Sequence, residues 1–279
     1  MYSLNILLTL GLVGCCASDN KKPHDTCNDT ASCPATHPSQ VILTSATVNN
    51  TTDTISMGVC VYLPQGYTDQ QTYPVLYLLH GSGDDETGWV IKGNMQTIMD
   101  SLIASGSTVP MVVIMPNGYA EHYNTWFDTD MPSPEQRHWM DGYFETFFAS
   151  LMDWTAAHYS VYTDKAHTAI AGLSMGGYHT IHVAGLLQGR FDYVGPFSAV
   201  EKTLPQLDTV MMGKPQLFWM AIGEDDFLYE NNVQMRAYMD ERGYSYTYHE
   251  SQGGHDWPNW MDYLRLFTPQ LFHAYPPMR

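Results

Sequence analysis

Basic residues are scarce in this chain of 279: 12 Lys and Arg stand against 29 Asp and Glu, a formal net charge of −17 at pH 7. Such a surface repels nucleic acid and anionic membranes, so a neutral molecule or an uncharged polymer is the more natural partner. The same acidity also serves solubility and selects no activity by itself. Cysteine is sparse too, at five residues. No Cys/His spacing resembles a zinc site, so no metal is expected, and no cysteine stands where a nucleophile would. Internal repeats and a second linker are both missing. The apolar run at residues 4–13 is too short to span a membrane.

That run reads instead as an export segment. It ends in Leu12-Val13-Gly14-Cys15, which resembles a bacterial lipobox, with Cys15 as the residue lipidated after cleavage. No Lys or Arg precedes the run, which departs from the usual signal, and ordinary cleavage near Ala17 is the rival reading. A polar, mobile tether follows. The expected division is an export segment over 1–20, a tether over 21–38 and one domain over 39–279. Cys27 and Cys33 lie close together in the tether and could close a small disulfide loop in an oxidising compartment. Cys60 lies in a strand-like run and reads as a small buried hydrophobe.

What the chain does have is a core: 44% of its residues are apolar and 13% aromatic, which argues against disorder. Partial alternation and β-branched residues predict strands over 41–48 and 55–63. Continuous apolar runs predict buried strands over 75–79 and 111–115. Further strands are expected over 167–171, 193–197, 217–222 and 245–250. Helical patterns fall at 95–104, 139–158, 175–187, 204–211, 229–242 and 257–272. Strand and helix alternate, so the class is α/β, with a mainly parallel central sheet and helices on both faces.

The densest signal is Ala169-Ile170-Ala171-Gly172-Leu173-Ser174-Met175-Gly176-Gly177. A buried strand, Gly-x-Ser-x-Gly and a helix in that order lay out a nucleophile elbow with Ser174 at its tip. A turn this tight crowds Cβ atoms, which favours the flanking glycines. The helix behind it aims N–H groups at the reaction centre and favours negative charge there.

In such a sheet, active groups gather at the carboxyl ends of strands. Two further loops carry the right residue types: Gly223-Glu224-Asp225-Asp226-Phe227-Leu228 and Gly253-Gly254-His255-Asp256-Trp257. A serine hydroxyl is a poor nucleophile, so His255 is the candidate base that takes its proton and returns it to the leaving group. An aspartate would hold the imidazole in one tautomer. Asp225 and Asp226 both fit that task by pattern. The oxyanion of the tetrahedral intermediate needs two N–H donors, and the backbones of Met175 and Ser82 are the candidates.

Leu79-His80-Gly81-Ser82-Gly83, the 111–118 strand ending in Pro116-Asn117-Gly118, the serine elbow, Gly223–Glu230 and Gly253–Trp257 together resemble the putative-esterase branch of the α/β hydrolases. That branch holds carbohydrate esterase family 1 (feruloyl and acetylxylan esterases), esterase D-type enzymes and mycolyltransferases. The resemblance spans nearly all of 55–272. It implies an α/β-hydrolase fold, Ser174 as nucleophile, His255 as base, Asp226 rather than Asp225 as acid, Ser82 and Met175 as oxyanion donors, and no cofactor.

The segment from Gly93 to Gly106 is similar to secreted feruloyl esterases, which implies feruloyl or acetyl esters of plant cell-wall xylan as substrate. An ester-bearing polysaccharide or a small aromatic ester is the partner this implies, with membrane contact only through a lipid on Cys15. Trp89, Trp126, Phe127, Trp257 and Trp260 could line the acyl or sugar site, although packing accounts for any one of them singly. Rival readings are a siderophore-ester hydrolase, a thioesterase, an acyltransferase, or a surface lipoprotein that binds glycan without catalysis.

Overall fold

The computed structural model describes residues 37–119 and 142–272. The export segment with Cys15, the Cys27 and Cys33 pair, nearly all of the tether, Trp126 and Phe127 lie outside the described residues.

The chain opens on a hairpin of β1 (Gln40–Asn49) and β2 (Thr54–Leu63), paired antiparallel. Its turn is made by Asn50, whose Oδ1 accepts from the N–H of Thr52 at 2.8 Å and of Asp53 at 2.6 Å. An Asn that bonds backbone two residues on is a turn-former for this reason. Six more strands follow: β3 (Val75–Leu79), β4 (Val112–Pro116), β5 (Thr168–Leu173), β6 (Tyr193–Phe197), β7 (Leu217–Gly223) and β8 (Thr247–Ser251). The sheet order is β1-β2-β4-β3-β5-β6-β7-β8, with every pair from β4 to β8 parallel.

Every residue of β3, β4, β5 and β6 is buried. Strands covered on both faces need no polar alternation, which is why these runs are continuously apolar. The period of two still sorts the core. Val75, Tyr77 and Leu79 face one layer with Phe144, Phe148 and Ile181, whereas Leu76 and Leu78 face the other with Trp89, Met99 and Phe267. Cys60 belongs to the second layer, where burial pushes its thiol up to about 12. A thiol held protonated in this way is inert as a nucleophile at neutral pH.

The helices are α1 (Gly88–Ile91), α2 (Met95–Ala104), α3 (Tyr143–Thr146), α4 (Phe148–His158), α5 (Met175–Leu186), α6 (Gln206–Met212), α7 (Tyr229–Glu241) and α8 (Trp257–Phe267). Two expectations shift. The helix expected over 139–158 is, among the described residues, α3 and α4, separated at Phe147 by a tightened turn in which Phe147 N–H donates to Phe144 O at 3.1 Å. The last helix stops at Phe267, and a 3-10 turn over Thr268–Gln270 replaces its expected end. Pro269 lacks the N–H that a further helical turn requires.

Candidate active site

Four loops leave the carboxyl ends of β3, β5, β7 and β8, and the parallel sheet delivers them to one edge. The loop after β5 is the tightest. Ser174 adopts φ 53° and ψ −114°, a region that costs a non-glycine residue free energy and persists only where the surroundings force it. The glycines do the forcing. A Cβ on Gly172 would fall 2.5 Å from Gly176 O, and one on Gly176 would fall 2.5 Å from Leu79 O. Backbone stands on both sides, so neither clash can be relieved by a side-chain move. Ser174 N–H donates to Phe197 O at 2.9 Å, which ties the elbow to β6. The 12-residue α5 then begins at Met175, whose N–H has no partner within the helix by position alone.

Around Ser174 the three candidate residues form one hydrogen-bonded chain. Ser174 Oγ lies 2.9 Å from His255 Nε2, and His255 Nδ1 lies 2.9 Å and 3.0 Å from the two carboxylate oxygens of Asp226. A carboxylate only accepts, so Nδ1 carries the proton and Nε2 is left to accept from the serine hydroxyl. Asp226 is buried, whereas Asp225 points to solvent. The turn that separates them is fixed by Asp226 itself, whose Oδ1 accepts from Leu228 N–H at 2.8 Å.

His255 is held from both ends. Behind it, Asp256 caps α8 by accepting from Asn259 N–H at 3.2 Å, and Pro258 fills the first turn. Ahead of it, Gly253 takes φ 91° and its carbonyl accepts from Asp225 N–H at 3.0 Å. A Cβ on Gly223 would lie 2.2 Å from that carbonyl, so the acid loop and the base loop touch backbone to backbone.

The loop after β3 closes over the same point. A Cβ on Gly81 would sit 3.5 Å from Ser174 Cβ and 2.4 Å from Leu173 Cδ1. Ser82 follows at the surface. Two residues that the sequence reading did not single out hold this loop. Tyr119 Oη accepts from Gly83 N–H at 2.8 Å and donates to Ser82 Oγ at 3.3 Å. His80 is buried, with Nε2 accepting from Gly118 N–H at 2.9 Å and Nδ1 lying 2.8 Å from Gly81 O. Since Gly118 can only donate, the His80 proton sits on Nδ1 and the ring is a neutral strut between two loops. The histidine of the His80–Gly83 stretch is visible in the sequence; its donor partner, Gly118 N–H, comes from a loop 38 residues away.

Burial pushes His80 down to about 4 from an ordinary 6.5. The unfolded imidazole charges as pH falls through 6.5, while the folded one resists until about 4. Stability from this group is therefore intact above 6.5 and is lost as pH falls toward 4. The gap corresponds to about 3 kcal/mol. Urea unfolding at pH 7 and pH 4.5 should show wild type losing about 2–3 kcal/mol more than His80→Gln over that interval. Equal losses would contradict the neutral strut.

The tryptophans divide. Trp89 is 1% exposed and its Nε1 donates to Leu79 O at 3.0 Å, so it is a core residue with no surface to offer a substrate. This corrects its placement among substrate contacts: the indole fills the layer under β3 and α2. Trp257 is half-buried, edge-on to Trp89 and Trp260 at 5.3 Å each. Trp260 is buried, donates to Ser198 Oγ at 3.1 Å and meets the His255 ring edge-on at 5.0 Å. It buttresses the imidazole.

A family model described as "Putative esterase" matches residues 54–270. Among curated proteins, the endo-1,4-beta-xylanase/feruloyl esterase of Xylanibacter ruminicola is 34% identical over 143 residues, 50% of this chain and 19% of that protein. The chain thus spans about a fifth of that relative's length. Among solved structures, a ferulic acid esterase superposes with a TM-score of 0.69 at 26% identity, covering 85% of this chain and 100% of the other. A CE1 ferulic acid esterase from Anaeromyces mucronatus in complex with ferulic acid gives a TM-score of 0.70 at 22% identity, covering 88% and 94%. That last likeness shows the fold.

Proposed function

The chain belongs to the putative esterase family, and on that premise we propose that it is a serine carboxylesterase that removes feruloyl or acetyl groups from plant cell-wall xylan. The observation that carries the reading is the unbroken hydrogen-bonded path from Ser174 Oγ through His255 to the buried Asp226. The xylan side rests on similarity to the xylanase/feruloyl esterase and the ferulic acid esterase.

The chemistry then follows from the geometry. His255 Nε2 takes the Ser174 proton as Oγ attacks the ester carbonyl carbon, and the carbonyl π electrons move onto oxygen. The oxyanion is stabilised by the N–H groups of Met175 and Ser82 and by the amino end of α5. Asp226 stabilises the imidazolium without taking its proton. Collapse of the intermediate breaks the bond to the alcohol oxygen, which receives the proton from His255. Water, deprotonated by the same nitrogen, attacks the acyl-serine; the acid leaves and the serine recovers its proton. Residues 1–20, read as an export segment with Cys15 as its lipidation site or with ordinary cleavage near Ala17, would put this activity outside the cytoplasm.

Assays of the purified protein with methyl ferulate, acetylated xylan and a short p-nitrophenyl ester test the proposal. Ferulate release is the expected result. Acetyl release alone would move the substrate to acetylxylan. Hydrolysis of none of the three would overturn the esterase reading.

A further inference from the structure

Phe227 stands apart from the other aromatic residues near the site. It directly follows the buried acid, yet 76% of it is exposed, the largest exposure among the bulky apolar side chains described. Single exposed apolar residues need no explanation in general. This one touches the base: its ring centroid lies 4.4 Å from that of His255, with the planes at 50°. Nor is it loosely placed. Asp226 N–H donates to Gly223 O at 3.1 Å, Leu228 N–H to the Asp226 carboxylate at 2.8 Å, and Tyr229 N–H to Asp226 O at 2.9 Å. The turn that presents Phe227 is the turn that presents the acid.

Among the described residues, His255 thus has two aromatic neighbours of opposite character. Trp260 is buried and hydrogen-bonded, and its packing on the imidazole is complete without a ligand. Phe227 contacts the same imidazole and leaves most of its ring to solvent, where it adds little to packing. A ring set beside a reacting group by a hydrogen-bonded turn, with most of its area in water, is a ready contact surface.

Which part of an ester lies there follows from the proton's path. His255 must return its proton to the departing oxygen, so the alcohol portion sits against the imidazole during the collapse. The carbonyl oxygen faces the Met175 and Ser82 side. A group flanking His255 on its solvent side therefore meets the alcohol and not the acyl chain. We propose that Phe227 is the platform on which the sugar ring carrying the esterified hydroxyl stacks, C–H face to aromatic face. A sugar suits the position because it pairs an apolar C–H face with a hydroxyl rim that stays in water. The net charge of −17 disfavours an anionic alcohol there. The proposal rests on the esterase reading above and adds the residue that selects the alcohol.

Kinetics of wild type, Phe227→Ala and Phe227→Trp on methyl ferulate and on a feruloylated xylan oligosaccharide test it. An aromatic contact of this kind is worth about two- to tenfold in binding. In Phe227→Ala, the ratio of KM for the oligosaccharide to KM for methyl ferulate should rise by that factor, and Phe227→Trp should restore it. An equal fall in kcat on both esters would show that Phe227 merely positions His255, and would overturn the platform. So would a ratio that does not move. A wild type that hydrolyses methyl ferulate with an unmoved ratio in the variant contradicts only the platform. One that hydrolyses neither ester removes the esterase reading and the platform with it.

Discussion

Ser174→Ala should lower kcat on every ester that the protein hydrolyses by about a million-fold, with KM little altered. The substitution removes the hydroxyl oxygen that lies 2.9 Å from His255 Nε2 and that we propose receives the acyl group. Water could in principle enter the gap beside His255, but the elbow is built for an oxygen at one point. The strained φ of 53°, the bond from Ser174 N–H to Phe197 O and the bare faces of Gly172 and Gly176 all serve to hold it there. Alanine keeps the same backbone demand, so the fold should survive and the loss should be chemical. Circular dichroism and thermal melting close to those of wild type, beside esterase activity at background, is the expected pair of results.

Asp226→Asn should lower kcat by about 10,000-fold, a loss far larger than that of Asp225→Asn. An asparagine in place of the buried carboxylate can turn its amide N–H₂ toward His255 Nδ1. The imidazole then moves its proton to Nε2, which faces Ser174 Oγ at 2.9 Å and can no longer accept from it. Asp225 is solvent-facing and is joined to the base loop through its backbone N–H, which the substitution leaves in place. Comparable losses in the two variants, or the reverse order, would contradict the assignment of the acid.

The parts of the site legible in the sequence are those whose requirements are local. Gly-x-Ser-x-Gly between an apolar run and a helical run states its own geometry, because the crowding at Gly172 and Gly176 comes from residues four apart and from the adjacent strand. The pair Asp225 and Asp226 was ambiguous by pattern, since which of two neighbours in a turn faces inward is decided by the loop it packs on, here Gly253 and His255. The sheet order was also beyond the pattern. β4 lies between β2 and β3 through contacts distant in sequence, and five-residue apolar runs do not encode their neighbours.

Trp89 and Phe227 show the same limit from opposite sides. A tryptophan after a glycine-rich loop suggested a substrate contact, yet its indole is sealed in the core. The phenylalanine inside the acid motif carries no role by pattern, yet it stands exposed against the base. Residue type reports apolar area; only the neighbours decide whether that area is covered. His80 and Tyr119 are alike in this respect, because each acts by tying the loop after β3 to the loop after β4.

The most direct test of the account is to treat the full-length protein with a fluorophosphonate, which phosphonylates an activated serine with loss of fluoride, and to map the label by peptide mass spectrometry while following ester hydrolysis. The account predicts one label per molecule, on Ser174, with activity lost in proportion to labelling. A label on another residue, or hydrolysis that continues once Ser174 is fully modified, would contradict it.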